Sequence, residues 1–316
     1  MHRRSALLGL ALPLAAPFLA RAQQGRGGRI IVPYGPGGSS DLVARIMAQH
    51  AGNGWVVENR GGGASIPGTQ AVAVAAPDGS TIGTADNALV VNQALNKDRM
   101  PYQAGRDVVG LGLAVTAPLL LLAYPPAPAQ TVRQVLAEAR STAGGLSLSH
   151  GGIGTPTHLA ALQFQFASGA EITQVGYRGG GPQLTGLVSG EVRYGFVAIA
   201  SAFGHVQGGR LRPVAISGPM RSPQMPDVPT LTEAGLPGVD VVGWWGFIGP
   251  GGMAMPLRER LYAQLVGAAR EPAPRERLEG LGYTVVARPP AEFDAQVQAE
   301  VAAWTPIFER AGVKPE

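Results

Sequence analysis

Ile30-Ile31-Val32-Pro33-Tyr34-Gly35-Pro36-Gly37-Gly38-Ser39-Ser40-Asp41 is the stretch that decides the fold. A short β-branched run gives way to a glycine-rich turn. Leu42, Val43, Ile46 and Met47 then recur at helical spacing. Strand, tight loop and helix in that order open a βαβ unit. Glycines in the loop let the backbone approach a ligand closely. Ser39 or Ser40 suits the N-cap of the helix, and Asp41 suits its first turn. The free amides of that turn form a site for an anion. A simpler role for Asp41 is to brace the loop.

The same alternation continues outward. Trp55-Val56-Val57, Thr81-Ile82-Gly83 and Leu119 to Ala123 read as strands, with further strands at 146–149, 172–175, 194–196 and 214–216. Helical patterns fall at 68–75 and 132–139. This predicts an α/β fold with largely parallel sheets. The chain has 316 residues, enough for two α/β domains. Val239 to Ile248 is a long extended run ahead of Pro250-Gly251-Gly252, and two helices follow, at about 256–269 and 291–310. A C-terminal segment that packs back on the first domain implies two crossings between lobes, near 118–126 and 238–248. Residues 23–122 with 246–316 are assigned to one lobe and 123–245 to the other. The 46 glycines and 27 prolines are spread along the chain and predict many turns, not a disordered tract.

The N-terminus reads as an address. His2, Arg3 and Arg4 precede an apolar stretch from Ser5 to Leu19, and Ala20-Arg21-Ala22 places small residues where a signal peptidase cuts. The run is too short for a membrane-spanning helix and is broken by Pro13 and Pro17. Residues 1–22 are therefore expected to be a signal peptide, cleaved near Ala22, sending the protein to the periplasm by either the Sec or the twin-arginine route. They also carry three arginines and no acid. Without them the basic and acidic residues, 25 and 21 in the whole chain, almost balance. The high pI is thus no footprint of nucleic acid or of a membrane surface.

Two more glycine-rich helix starts follow. In Gly151-Gly152-Ile153-Gly154-Thr155-Pro156-Thr157-His158, Thr155 is a good N-cap and Pro156 takes the favoured first helical position. Gly179-Gly180-Gly181-Pro182 repeats the idea. One such loop from each lobe facing the other makes a carboxylate clamp. Other chemistries lack their residues. There is no cysteine, no lysine placed as in a P-loop, no GxGxxG and no HExxH. Gly63-Ala64-Ser65-Ile66-Pro67 fails the hydrolase pattern at its last position. No cofactor and no metal are expected. His150 and His158 lie on one loop and its helix, with His158 read as bonding nearby backbone and His150 as a cleft-lining donor.

The ordered set of motifs resembles the substrate-receptor family of tripartite tricarboxylate transporters, the Bug proteins. It comprises Ile31-Val32-Pro33-Tyr34 with Gly37-Gly38-Ser39-Ser40-Asp41, Val57-Glu58-Asn59-Arg60, Ala76-Pro77-Asp78-Gly79, Gly151-Gly152-Ile153-Gly154-Thr155, Tyr177-Arg178-Gly179, Gly208-Gly209-Arg210-Leu211-Arg212, Arg221-Ser222-Pro223, Pro226-Asp227-Val228-Pro229-Thr230, Glu233-Ala234-Gly235 and Trp245-Gly246. The resemblance implies a two-lobed periplasmic-binding-protein (Venus-flytrap) fold with a double crossover hinge. It further implies a monomer that binds a small organic carboxylate and presents it to the membrane permease of a tripartite transporter. Mapped onto this chain, it implies ligand contacts from Tyr34, Gly37, Gly38, Ser39, Ser40 and Asp41 in one lobe. The other lobe would give His150, Gly151, Gly152, Thr155 and Tyr177.

The chain departs from that pattern at Ser65-Ile66, where relatives have Gly-Asn, at His150 for a serine, and at Val197 for an aspartate. These positions join the expected ligand-binding set. Loss of the aspartate predicts a ligand whose distal end is less polar than an amino acid's. A ligand-sensing subunit with the same fold is the alternative function. An exported hydrolase using Ser65 or Ser149 is a weaker one, because no base or nucleophile turn accompanies either serine.

Overall fold

A computed structural model describes residues 28–311 apart from 53, 97 and 98, with side chains described as far as 306. The expected signal peptide lies outside the described residues. The chain opens with β1 (Arg29–Val32), α1 (Ser39–Ala51) and β2 (Val56–Asn59). A single 3-10 turn at Gly63–Ser65 leads into α2 (Ile66–Ala73), β3 (Thr81–Asp86) and α3 (Ala88–Leu95). Next come β4 (Val108–Ala123), α4 (Val132–Ser141), β5 (Leu146–His150), α5 (Pro156–Ser168) and β6 (Ile172–Gly176). Then follow α6 (Gly180–Ser189), β7 (Tyr194–Ala198), α7 (Ile199–Gln207) and β8 (Arg212–Ile216). The chain closes with β9 (Val242–Pro250), α8 (Met255–Leu261), α9 (Pro272–Gly280), β10 (Thr284–Arg288) and α10 (Pro290–Ala311).

The strands join in the order β2-β1-β3-β9-β4-β7-β5-β6, with β8 and β10 also on β4. Within this sheet β1 pairs in parallel with β2 and β3, and β5 pairs in parallel with β6 and β7. These are the two βαβ groups that the alternation predicted. Between them lie β9 and β4, both antiparallel to their neighbours. β4 is the hub. Val108 to Pro118 pairs with β9, Leu119 to Ala123 pairs with β7 on one side, and Leu120 to Ala123 pairs with β8 on the other.

The sequence of β4 explains that double service. Leu119, Leu120, Leu121, Leu122 and Ala123 are fully buried, as suits a strand covered on both faces. Pro118 has no N–H to give to a ladder. It stands where pairing with β9 ends, opposite Val242, and pairing with β7 begins one residue later. The freed backbone groups are taken up by Ser217, just after β8. Its Oγ accepts from Leu119 N at 2.9 Å and donates to Val241 O at 2.6 Å, while its N donates to Leu119 O at 2.8 Å. Val241 leads into β9, so one buried serine laces both crossings between the two halves of the sheet.

Some elements differ from the sequence expectation. The helix expected at 256–269 is α8 followed by a π turn, Tyr262–Val266, and a 3-10 turn, Gly267–Arg270. α9 and β10 were not expected. β10 is short and pairs with β4 through a bulge at Ala287, which has φ of 46°. α3 was not expected either. Its sequence ALVVNQAL is apolar nearly all round and shows no helical stripe. No helix among the described residues is long and apolar enough to cross a membrane. Ser217→Ala is expected to lower stability by about 1–3 kcal/mol, because Leu119 N and Val241 O lose their buried partner; urea denaturation measures it.

Candidate functional site

The loop after β1 and the loop after β6 meet face to face. Gly35 N donates to Arg178 O at 3.2 Å, and Ser39 Oγ and Ser201 Oγ lie 2.9 Å apart. The contact is backbone on backbone. A Cβ on Gly181 would stand 1.9 Å from Pro36 O, and one on Gly38 would stand 3.2 Å from Gly180 N. Only glycine at 181 permits this approach.

Behind the contact lies a cavity of about 40 Å³. Gly38, Ser39 and Ser40 contribute the start of α1. Thr155, Pro156 and Thr157 contribute the start of α5, Gly180 that of α6, and Ala198 and Ser201 that of α7. Four helices therefore begin at one small space. Each brings free N–H groups and the positive end of its dipole. Tyr34, Asp86, Gly151, Gln183, Val197 and Trp245 complete the wall. A larger cavity of about 650 Å³ adjoins it and shares Tyr34 and Gly151. Ser65, Ile66, Asn92, His150, Gly152, His158, Tyr177 and Arg178 line it together with Gly62 to Ala64.

The second loop forms as its sequence suggested. Thr155 is the N-cap of α5, its Oγ1 accepting from His158 N at 3.3 Å and donating to Gly152 O at 2.6 Å. The first loop is capped differently. Gly38, not Ser39 or Ser40, is the N-cap, and no side chain caps there directly. Asp41 does the work from within the helix. Its Oδ2 accepts from Gly37 N at 3.0 Å and Arg45 Nε at 2.9 Å, and Oδ1 accepts from Asn59 Nδ2 at 2.9 Å. Burial opposes charge on Asp41, but Arg45, Gly37 and Asn59 outweigh it and hold the carboxyl below its ordinary range. Asp41 and Gly37 stand behind the loop and are not part of either cavity wall. Tyr34, Gly38, Ser39, Ser40, Gly151, Thr155 and Val197 line the small cavity, and Ser65, Ile66, His150, Gly152 and Tyr177 line the larger one.

Ser65 is held by local strain. Ala64 and Ser65 adopt φ of 52° and 71°, a left-handed region that non-glycine residues avoid. Asn92 pins the turn by donating to Ala64 O at 2.7 Å. Ser149 lies fully buried, its hydroxyl donating to Tyr194 O at 3.2 Å. It is a packing residue there and is not presented as a nucleophile.

His150 and His158 stack with ring centroids 4.5 Å apart. His150 Nδ1 accepts from Gly152 N and His158 Nδ1 from Gly154 N, so each neutral ring carries its proton on Nε2. Burial lowers the His150 pKa to about 4; burial and then the neighbouring His150 lower that of His158 to about 3. Among the described residues, no group of three or more His, Asp or Glu is arranged to hold a metal ion.

Asp86 escaped the sequence reading. It ends β3 and is 4% exposed, in the wall of the small cavity. Tyr34 Oη donates to its Oδ1 at 2.8 Å, and Ala88 N donates to the same oxygen at 2.9 Å. Burial raises its pKa to about 6 against the pull of those two bonds. The less polar ligand expected from Val197 assumed a cleft without a carboxylate, and Asp86 supplies one. Gln183, Ser201 and Trp245 were also missed. The signal for Asp86 and Ser201 was available, since each stands at a strand-to-helix junction, where ligand sites of α/β sheets lie.

Two groups of parallel strands joined through antiparallel crossing strands, with helix starts gathered between them, define a solute-binding receptor of the periplasmic type. A family model described as the tripartite tricarboxylate transporter family receptor matches residues 41–313. The chain belongs to that family. It is 34% identical to the protein of the tcbD–tcbE intergenic region of Pseudomonas sp. strain P51, over 97% of this chain and 94% of that one. Among solved structures it is similar to the periplasmic binding protein BugD (28% identity, TM-score 0.87, covering 92% of this chain and 99% of that one). It is similar also to MatC from Rhodopseudomonas palustris with bound malate (30% identity, TM-score 0.83, covering 89% and 98%).

Two outcomes are expected at the site. Gly181→Ala is expected to keep the fold but hold the two loops apart, seen in small-angle scattering as a larger radius of gyration. Stability is expected to fall as the pH drops from about 6.5 toward 4, because the unfolded chain takes up protons on His150 and His158 before the folded one does. His158→Gln should flatten that slope in melting curves recorded across the range.

Proposed function

We propose that this protein is a periplasmic receptor that captures a small organic carboxylate between two lobes and delivers it to a tripartite tricarboxylate-type permease. The observation that carries the reading is the meeting of four helix N-termini at one cavity. Free amides and dipole ends of α1, α5, α6 and α7 supply donors for an anion without a charged side chain. The hydroxyls of Ser40 and of the Ser39–Ser201 pair add more, while Thr155 and Thr157 spend theirs holding the second loop in shape. The malate bound by MatC is an acid of the class we assign to this cleft.

In this reading Tyr34, Gly38, Ser39, Ser40, Gly151, Thr155 and Val197 surround the anionic head. Ser65, Ile66, His150, Gly152 and Tyr177 surround the remainder of the ligand, while Gly37 and Asp41 hold the first loop in shape. The lobes are residues 23–122 with 246–316, and 123–245. The change of strand partner at Pro118–Leu119 supports the first boundary. Residues 1–22 act as the export signal, removed near Ala22. The protein works as a monomer without a cofactor.

A thermal-shift screen of the mature protein against mono-, di- and tricarboxylates is expected to give a selective rise in melting temperature by mass action. Flat curves across the panel would overturn the assignment. Thr155→Ala is expected to lose about 1 kcal/mol of stability at the helix cap and to weaken binding of the acid found in the screen. Unchanged affinity in that variant, measured by calorimetry, would remove the second loop from the site.

A further inference from the structure

We infer that Asp86 selects the ligand: the acid that binds must also carry a hydroxyl or ammonium group, whose hydrogen bond Asp86 Oδ2 accepts. The inference rests on the carboxylate-receptor reading above and narrows it to hydroxy- or amino-substituted acids.

The argument is an inventory of donors and acceptors in the small cavity. Much of its wall donates, through the helix amides and the hydroxyls of Ser40 and the Ser39–Ser201 pair. Asp86 is an exception. Its Oδ1 takes both the Tyr34 hydroxyl and the Ala88 amide, while Oδ2 receives no hydrogen bond from any described residue. Gln183 is a second exception. It is fully buried in the same wall, and its Nε2 donates to Phe196 O at 2.9 Å and Ser149 Oγ at 3.2 Å. A backbone carbonyl can only accept, so this contact fixes which end of the amide is nitrogen. Gln183 Oε1 is left buried without a partner. A buried acceptor such as Gln183 Oε1 is destabilising without a donor, and native structures contain few of them; Asp86 Oδ2 is not sealed in this way, so it is free to accept from a ligand.

A plain carboxylate does not mend this. It brings only acceptors, and it sets its charge beside that of the buried Asp86, where like charges repel. A hydroxyl or ammonium group on the ligand reverses both effects. It gives Oδ2 a donor and separates the two carboxylates. Val197 is apolar and buried in the same wall, so it cannot serve as that partner. Tyr34 cannot turn to the ligand as a donor without abandoning Asp86, which makes the tyrosine a positioning residue for the carboxylate.

The test is calorimetry on the mature protein at pH 7.5 with matched acids: succinate against malate, succinate against aspartate, and glutarate against 2-hydroxyglutarate. The expected result is that, in at least one pair, the donor-bearing member binds roughly tenfold or more tighter. In Asp86→Asn the amide places N–H groups where Oδ2 stood, so the preference should shrink or reverse toward the plain acid. Its melting temperature checks the fold, and the wild-type comparison stands even if the variant does not fold. Plain acids that bind as tightly as their substituted partners overturn the inference and leave the receptor reading intact. So does an unchanged preference in folded Asp86→Asn. Plain acids that bind tightly only as the pH falls through about 6 also overturn it, because Asp86 would then take a proton and be the donor itself. Failure of all these acids and of the wider carboxylate panel to bind overturns both.

Discussion

One strand has to belong to two sheets. β4 pairs with β9 for its first part and with β7 and β8 for its last, and the change of partner comes at Pro118. Everything at the site inherits its position from that change. The loops after β1 and β3 are carried by one half of the sheet, and those after β5, β6 and β7 by the other. Ser217 holds both crossings together through Leu119 and Val241, so the halves are joined at a narrow waist. A narrow waist of this kind suits a hinge, because few residues need to change conformation.

The electrostatics of the cleft follow from the same topology. Parallel strands send their helices back from one edge, so the starts of α1, α5, α6 and α7 gather where the two halves face each other. The helix dipoles make this place positive without any lysine or arginine in the wall of the small cavity. A negative group buried there is stabilised by that field, yet Asp86 still has its pKa raised to about 6, so burial outweighs the hydrogen bonds made to it. In the proposed reading the cleft takes one negative charge from the ligand next to the one that Asp86 already holds.

Much of this was legible in sequence because the signals are local. Glycine before a capping threonine and a proline announced the start of α5, and the run Leu119 to Ala123 announced a buried strand. The family motifs carried the order of the elements. Other features were not legible because they depend on what folds against them. Asp86 is one acid among many in a string, and only the packing of β3 under Tyr34 makes it a cavity residue. Asp41 looked like a ligand contact because it sits in the right loop, but Arg45 and Asn59 turn it to the loop's underside. α3 hid because a helix that is apolar nearly all round has no stripe to read. The full length of β4 was not expected, because Gly110, Gly112 and Pro118 are poor strand residues; they lie within it, at an irregularity of its pairing with β9 and at the change of partner.

The sizes of the two cavities constrain how a ligand sits. At about 40 Å³ the small one is far smaller than its neighbour of about 650 Å³. In the proposed reading the small one takes the carboxylate head. The rest of the ligand would then extend past Tyr34 and Gly151, the two residues common to both walls, into the larger space. Tyr34 is 7% exposed and tied to Asp86, so it stands as a fixed post at that passage and not as a swinging gate. Beyond it wait His150 and His158, both held neutral by burial and both with Nε2–H as their ring donor. In the proposed reading the head of the ligand meets backbone amides and Asp86, and its far end meets the neutral ring donors of His150 and His158.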